Sequence, residues 1–227
     1  MLALFGLILL AAQSVPPEVD AGRAIEPSPT AVSWEFDFRY IEPRRIEVNV
    51  AGRTEVYWYL VYTVTNRGGA TQRFHPTFQL VTEDLKVIDT DMGISALVFD
   101  AIRERHKKTH PYLVHPTKAI GELRVGDDYA IESAAIWRAS DLTANAFTIF
   151  VAGLSGEARI VENPAYDPSR PESKQESGPN GGAPAAGDNA RFFTIRKTLA
   201  LHYLLPGSMN ARQSAEPKLL KARWIMR

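Results

Sequence analysis

Cysteine is missing from all 227 residues. That removes disulfides, thiolate metal sites, cysteine nucleophiles and a lipid anchor on cysteine. A secreted eukaryotic domain of this kind would usually carry disulfides. If the chain is exported, a bacterial envelope or extracellular setting is therefore expected. Its core must hold by burial alone, which this length permits. Net charge of one sign is missing as well, because Lys+Arg and Asp+Glu both total 26. No overall field draws the chain to nucleic acid or to anionic lipid, and no nucleic-acid partner is expected. Long apolar runs are missing too. Residues 2–12 are apolar apart from Gly6, whereas a bilayer span needs about 20 such residues, so no transmembrane anchor is expected in the mature chain. There is no glycine-rich phosphate loop, and no pair of carboxylates stands out at an acid–base spacing. The expectation is a non-enzyme without a cofactor.

What is present begins with that short apolar run. Its length suits the central region of a secretory signal peptide, and Ala12-Gln13-Ser14 puts small residues where a signal peptidase reads. We place the signal at residues 1–14. No Lys or Arg precedes the run, so only the α-amino group supplies positive charge. A misplaced start codon or a buried N-terminal strand are the other readings, and export is favoured over both. Residues 15–31 contain Pro16, Pro17, Pro27 and Pro29 and few large apolar side chains, which reads as an extended tether. Residues 32–227 then read as a single domain. Periplasmic and fully secreted locations both stay open.

The domain carries β patterning. Trp34, Phe36, Phe38 and Tyr40 alternate with Glu35, Asp37 and Arg39, and Ile46, Val48 and Val50 alternate with Glu47 and Asn49. Residues 55–65 are apolar on both faces: Val56, Trp58, Leu60, Tyr62 and Val64 on one, Tyr57, Tyr59 and Val61 on the other. Such a strand belongs in the middle of a sheet covered on both sides. Gly68-Gly69 closes it, and Phe74, Phe78 and Leu80 are expected to continue a hairpin partner, with Pro76 marking an edge or bulge. Glu83-Asp84 turns into residues 85–88. The period changes over 94–108, where Ile94, Leu97, Val98, Ala101 and Ile102 fall on one helical stripe. Asp91 is the expected cap and His110-Pro111 the stop. Strand patterns return at 129–137 and 147–154. Residues 163–190 are rich in Pro, Gly and Ser with one aromatic, Tyr166, and read as a long disordered loop inside the domain. The last 37 residues hold further strands ending in Trp224, Ile225 and Met226.

These strands and one helix predict an immunoglobulin-like antiparallel β-sandwich. Tyr62-Thr63-Val64-Thr65-Asn66 before a glycine turn, then Phe78-Gln79-Leu80 leading to Glu83-Asp84-Leu85-Lys86-Val87, resembles free-standing bacterial immunoglobulin-like modules. A larger pattern resembles a family of uncharacterised secreted bacterial proteins with such a domain. It adds Trp58-Tyr59, Ala135-Ile136-Trp137, the run from Phe147 to Ser155, Arg196-Lys197-Thr198-Leu199, Leu205-Pro206-Gly207 and Arg223-Trp224-Ile225. The resemblance covers most of the chain from Ser33 and implies the fold. It carries over no catalytic or binding residue.

Candidate sites are few. His106 and His110 are four apart at the end of the helix, and His115 follows; imidazoles at that spacing can share a metal. No glutamate neighbours His106, and Lys107 opposes a cation, so we favour solvated histidines where positive charge suits the helix dipole. Arg103, Arg105, Lys107 and Lys108 form a basic stretch that could hold phosphate, lipid headgroups or acidic glycans, or be a solvated face with Glu104 and Lys108 paired. Asp89-Thr90-Asp91-Met92-Gly93 resembles half a calcium loop but is followed by Ile94 where glycine is required. Gly153-Leu154-Ser155-Gly156-Glu157 lacks the last glycine of a nucleophile elbow and reads as a turn. Tyr57, Tyr59, Trp58 and Trp34 read as core aromatics rather than a sugar platform. The favoured function is a non-enzymatic, exported binding module for an envelope or extracellular macromolecule. The alternative is an envelope metal-, small-ligand or glycan-binding protein using residues 89–115. An unrecognised hydrolase comes last.

Overall fold

Thirteen residues, apolar on both faces through their middle, make the pivot of the fold. They form β3 (Arg53–Thr65), preceded by β1 (Asp37–Tyr40) and β2 (Arg44–Val50). The structure is a computed structural model describing residues 34–90, 93–138, 144–173, 189–212 and 215–227. The proposed signal and tether lie outside the described residues. Residues Ser33–Arg227 make one compact unit. Within it β3 pairs along one edge with β8 (Ile131–Arg138) and along the other, in succession, with β1 and β2. All of these pairings are antiparallel.

The second sheet is built from β5 (Thr77–Thr82), β6 (Val87–Asp89), β9 (Ala146–Ala152), β10 (Ala158–Glu162), β11 (Phe192–Leu204) and β12 (Lys218–Met226). β5 lies between β6 and β9, and β11 pairs with β9 and β10 on one edge and β12 on the other. A short ribbon of β4 (Gln72–Phe74) and β7 (Gly121–Leu123) completes the β structure. The protein is thus mostly β, with two antiparallel sheets sharing one core.

That core follows from the two-residue side-chain period. Trp58, Leu60, Tyr62 and Val64 of β3 meet Phe78, Leu80, Phe147, Ile149, Val151, Leu199, Leu201 and Tyr203 of the second sheet. The opposite face of β3, with Tyr57, Tyr59 and Val61, is covered by α1 (Ala96–His106) through Val98, Phe99 and Ile102. Both faces of β3 are therefore buried, as its pattern requires. Each fully buried side chain of this kind contributes about 1.5–3 kcal/mol.

Two local expectations need correction. The hairpin after Gly68-Gly69 does not form: Phe74 pairs with β7, and Phe78 and Leu80 lie in the other sheet. Pro76, which has no N–H to donate, separates β4 from β5 and lets the chain change sheets. The helix is capped by the Ser95 side chain, which accepts from the Leu97 N–H at 3.4 Å, and it ends at His106 rather than at Pro111. Asp91, the expected cap, lies outside the described residues. The buried face of the helix is Val98, Phe99, Ile102 and His106, while Leu97 is 54% exposed. Of the loop expected over 163–190, the described ends are bonded to each other and to neighbouring backbone. Asn163 Nδ2 donates to the Ala190 carbonyl at 2.8 Å, and Asn189 Nδ2 donates to the carbonyls of Asp167, Arg170 and Pro171. Short polar side chains that bond nearby backbone can order a loop without an apolar core. Residues 174–188 lie outside the described residues.

Candidate functional site

The histidines expected near the helix end do not converge. His106 is the last helical residue and points inward, only 4% exposed. Its Nε2 lies 3.0 Å from the Tyr59 hydroxyl. Arg105 donates to the same phenol oxygen at 3.3 Å and to the Arg45 carbonyl at 2.9 Å. The Tyr59 hydroxyl thus meets both the His106 ring and the Arg105 guanidinium. Burial first, then the positive surroundings of His110, Arg44 and Arg105, hold the His106 pKa below the ordinary histidine value. The expectation of a solvated His106 is therefore corrected: it is a core residue. His110 stacks edge-on to it at 5.8 Å, while His115 packs on Phe99 at 5.0 Å and accepts from the Thr117 N–H at the start of α2 (Pro116–Ala119). Among the described residues no group of three or more His, Cys, Asp or Glu could hold a metal ion.

The basic stretch is largely paired within itself. Arg103 bonds Asp100 at 2.9 Å, Lys107 pairs with Glu104, and Arg105 is occupied as above. The expected Glu104–Lys108 pair is replaced by Glu104–Lys107 at i,i+3. Lys108 is exposed. Of the calcium-like segment, Asp89 accepts from Gln79 at 2.9 Å; residues 91 and 92 lie outside the described residues. Ser155 accepts from the Glu157 N–H at 3.2 Å and shapes a turn. Gly153 there has φ +82°, and a Cβ on it would run into the His75 carbonyl. Tyr57, Tyr59 and Trp58 are all buried, so they form no sugar platform.

What periodicity alone did not reveal is the state of β12. Among the described residues this nine-residue strand pairs with β11 on one edge only, and its first seven residues are exposed. A register shift opposite His202 and Tyr203 sets Leu220 apart, 60% exposed, and Trp224 is 37% exposed. Lys218, Lys221 and Arg223 punctuate it with no acidic residue between them, and they make no ion pair among the described residues. Their field is felt nearby. Burial first, then Arg223 and Lys221, lower the His202 pKa. The neighbouring Lys197 is instead satisfied, by Glu35 at 2.7 Å and Glu157 at 3.6 Å, and sits 5.1 Å from the Trp224 ring. An unpaired strand edge offers a row of backbone donors and acceptors to another extended chain. Away from β12, where β10 pairs with the start of β11, Phe192 and Ile160 are also exposed.

Compared with known proteins, the chain matches no family model, no curated protein and no solved structure. Among the described residues no helix is long and apolar enough to cross a membrane.

Proposed function

We propose that the protein is an exported, non-enzymatic interaction module of a bacterial envelope, with an immunoglobulin-like sandwich, that holds an extended acidic segment of a partner protein by strand addition to β12. The export reading rests on residues 1–14, and the immunoglobulin-like reading on the motif resemblance around Tyr62–Asn66 and Phe147–Ser155. The observation that carries the binding reading is β12 itself: among the described residues it has one open edge and Lys218, Lys221 and Arg223 without acidic partners, with Leu220 and Trp224 exposed. Backbone pairing would supply affinity, and the three cations would favour acidic over basic partners.

The test is titration of the isotopically labelled full chain with an extended peptide alternating Glu and Val, and with its Lys–Val counterpart. Binding of the acidic peptide alone, with amide shifts concentrated in β12 and lost in Lys221→Glu/Arg223→Glu, is expected. Equal binding of both peptides, or shifts elsewhere only, would sink the reading.

A further inference from the structure

We propose that a second site, independent of β12, lies between α1 and the segment leading into α2, and that it takes a small organic acid: one carboxylate on a short apolar body. The cleft measures about 330 Å³, at the small end of ligand pockets, which run from about 300 to 1,000 Å³. One wall is a single helical stripe of α1, Ala96, Phe99, Asp100 and Arg103, at the i, i+3, i+4, i+7 spacing that puts side chains on one face. The other wall is Leu113, Val114, His115 and Lys118.

Both walls are fixed. Val114 donates from its backbone to the Glu132 carbonyl at 2.9 Å and accepts from Ser133 Oγ at 2.9 Å, which ties this segment to β8. Phe99 and Leu113 are buried at the floor, and the His115 ring stands edge-on to Phe99 at 5.0 Å. The site is thus preformed, with an apolar base and a charged rim.

The rim decides the sign of the ligand. Arg103 and Lys118 face one carboxylate, Asp100, so one positive charge is in excess. Asp100 bonds Arg103 at 2.9 Å, and the guanidinium lies 5.8 Å from the Phe99 ring. Lys118 makes no ion pair among the described residues. A single excess charge suits a monoanion, the planar arginine fork suits a carboxylate, and the apolar base suits a short alkyl chain or small ring.

The experiment is calorimetric titration of the full chain with hexanoate, hexanamide and inorganic phosphate. Hexanoate is expected to bind, with hexanamide and phosphate at least about tenfold weaker, a difference of about 1.4 kcal/mol. Arg103→Gln and Lys118→Gln, both at exposed positions, should each weaken hexanoate by a similar factor. Ala96→Phe, which fills the cleft, should abolish binding. Asp100→Asn should tighten it, because it removes the competing carboxylate; a purely structural role for Asp100 would not. Failure of hexanoate to bind at millimolar concentration overturns the proposal. So does hexanamide binding as tightly, or phosphate binding that survives Ala96→Phe. None of these outcomes bears on peptide binding at β12, so the two proposals fail separately.

Discussion

At the scale of single residues, the buried Tyr59–His106 pair, with the exposed Arg105 bonded to its phenol, makes the sharpest commitments. Tyr59→Phe leaves the buried His106 imidazole short of a partner, and an unsatisfied buried group costs about 1–3 kcal/mol. Urea unfolding should show that loss without change in the strand content. The same cluster sets a pH dependence. His106 and His202 both have folded-state pKa values below the unfolded value, for which burial is the first cause. The unfolded chain therefore binds more protons in that window, and stability falls as pH falls. The contribution is complete above the unfolded histidine pKa of about 6.5 and is lost as pH drops through the lower folded values. Thermal unfolding from about pH 8 to about pH 5 should decline in the native chain, less in His106→Gln, and least in His106→Gln/His202→Gln. An unchanged slope in the double variant would remove the histidines from the account. Gly153 is a further single-residue constraint. Its positive φ and the nearby His75 carbonyl predict that Gly153→Ala loses at least about 1 kcal/mol, through strain rather than lost contacts.

At the scale of elements, α1 separates two versions of its own buried face. Ile102 is fully buried against Tyr59 and Val61, and Ile102→Ala should cost about 2–5 kcal/mol. Leu97, on the stripe that periodicity suggests, is mostly solvated, so Leu97→Ala should stay within about 0.5 kcal/mol. Equal losses would mean that the helix packs on the other stripe. The difference shows why this element was only partly legible. Leu97 counts as apolar and His106 as polar in any pattern, yet the sheet beneath offers His106 a phenol while Leu97 stays 54% exposed. β3 was legible in full because both of its faces are apolar, and only a doubly covered strand suits that. The partner of residues 72–80 was not. Local spacing sees a glycine turn and proposes the nearest hairpin, whereas Phe78 pairs with Val151, far along the chain. The bonds of Asn163 and Asn189 to nearby backbone at the two described ends of the loop were not legible for a related reason: they carry no hydrophobic signal. The candidate sites were the least legible, since interspersed apolar and basic residues on β12 look the same whether a strand is covered or open.

At the scale of the whole molecule, that open edge has to be reconciled with a chain of zero net charge. A neutral protein lacks the overall repulsion that keeps copies apart, and an exposed edge strand is a template for pairing. The charge on β12 is local instead. Two β12 strands brought edge to edge would juxtapose Lys218, Lys221 and Arg223 with their own copies, while an acidic strand would meet only attraction. Salt should therefore move the two processes in opposite directions. Screening shortens from about 10 Å at 0.1 M to about 3 Å at 1 M salt. Binding of the acidic peptide should weaken across that range, and self-association of the protein should rise. Lys218→Ser/Lys221→Ser/Arg223→Ser should self-associate already at low salt and lose its salt dependence. Sedimentation velocity on the native and triple-variant chains reads this directly. A triple variant that stays monomeric at every salt concentration would mean that geometry, not charge, guards the edge. The same geometry would then obstruct a partner strand, so the strand-addition reading would fall with it.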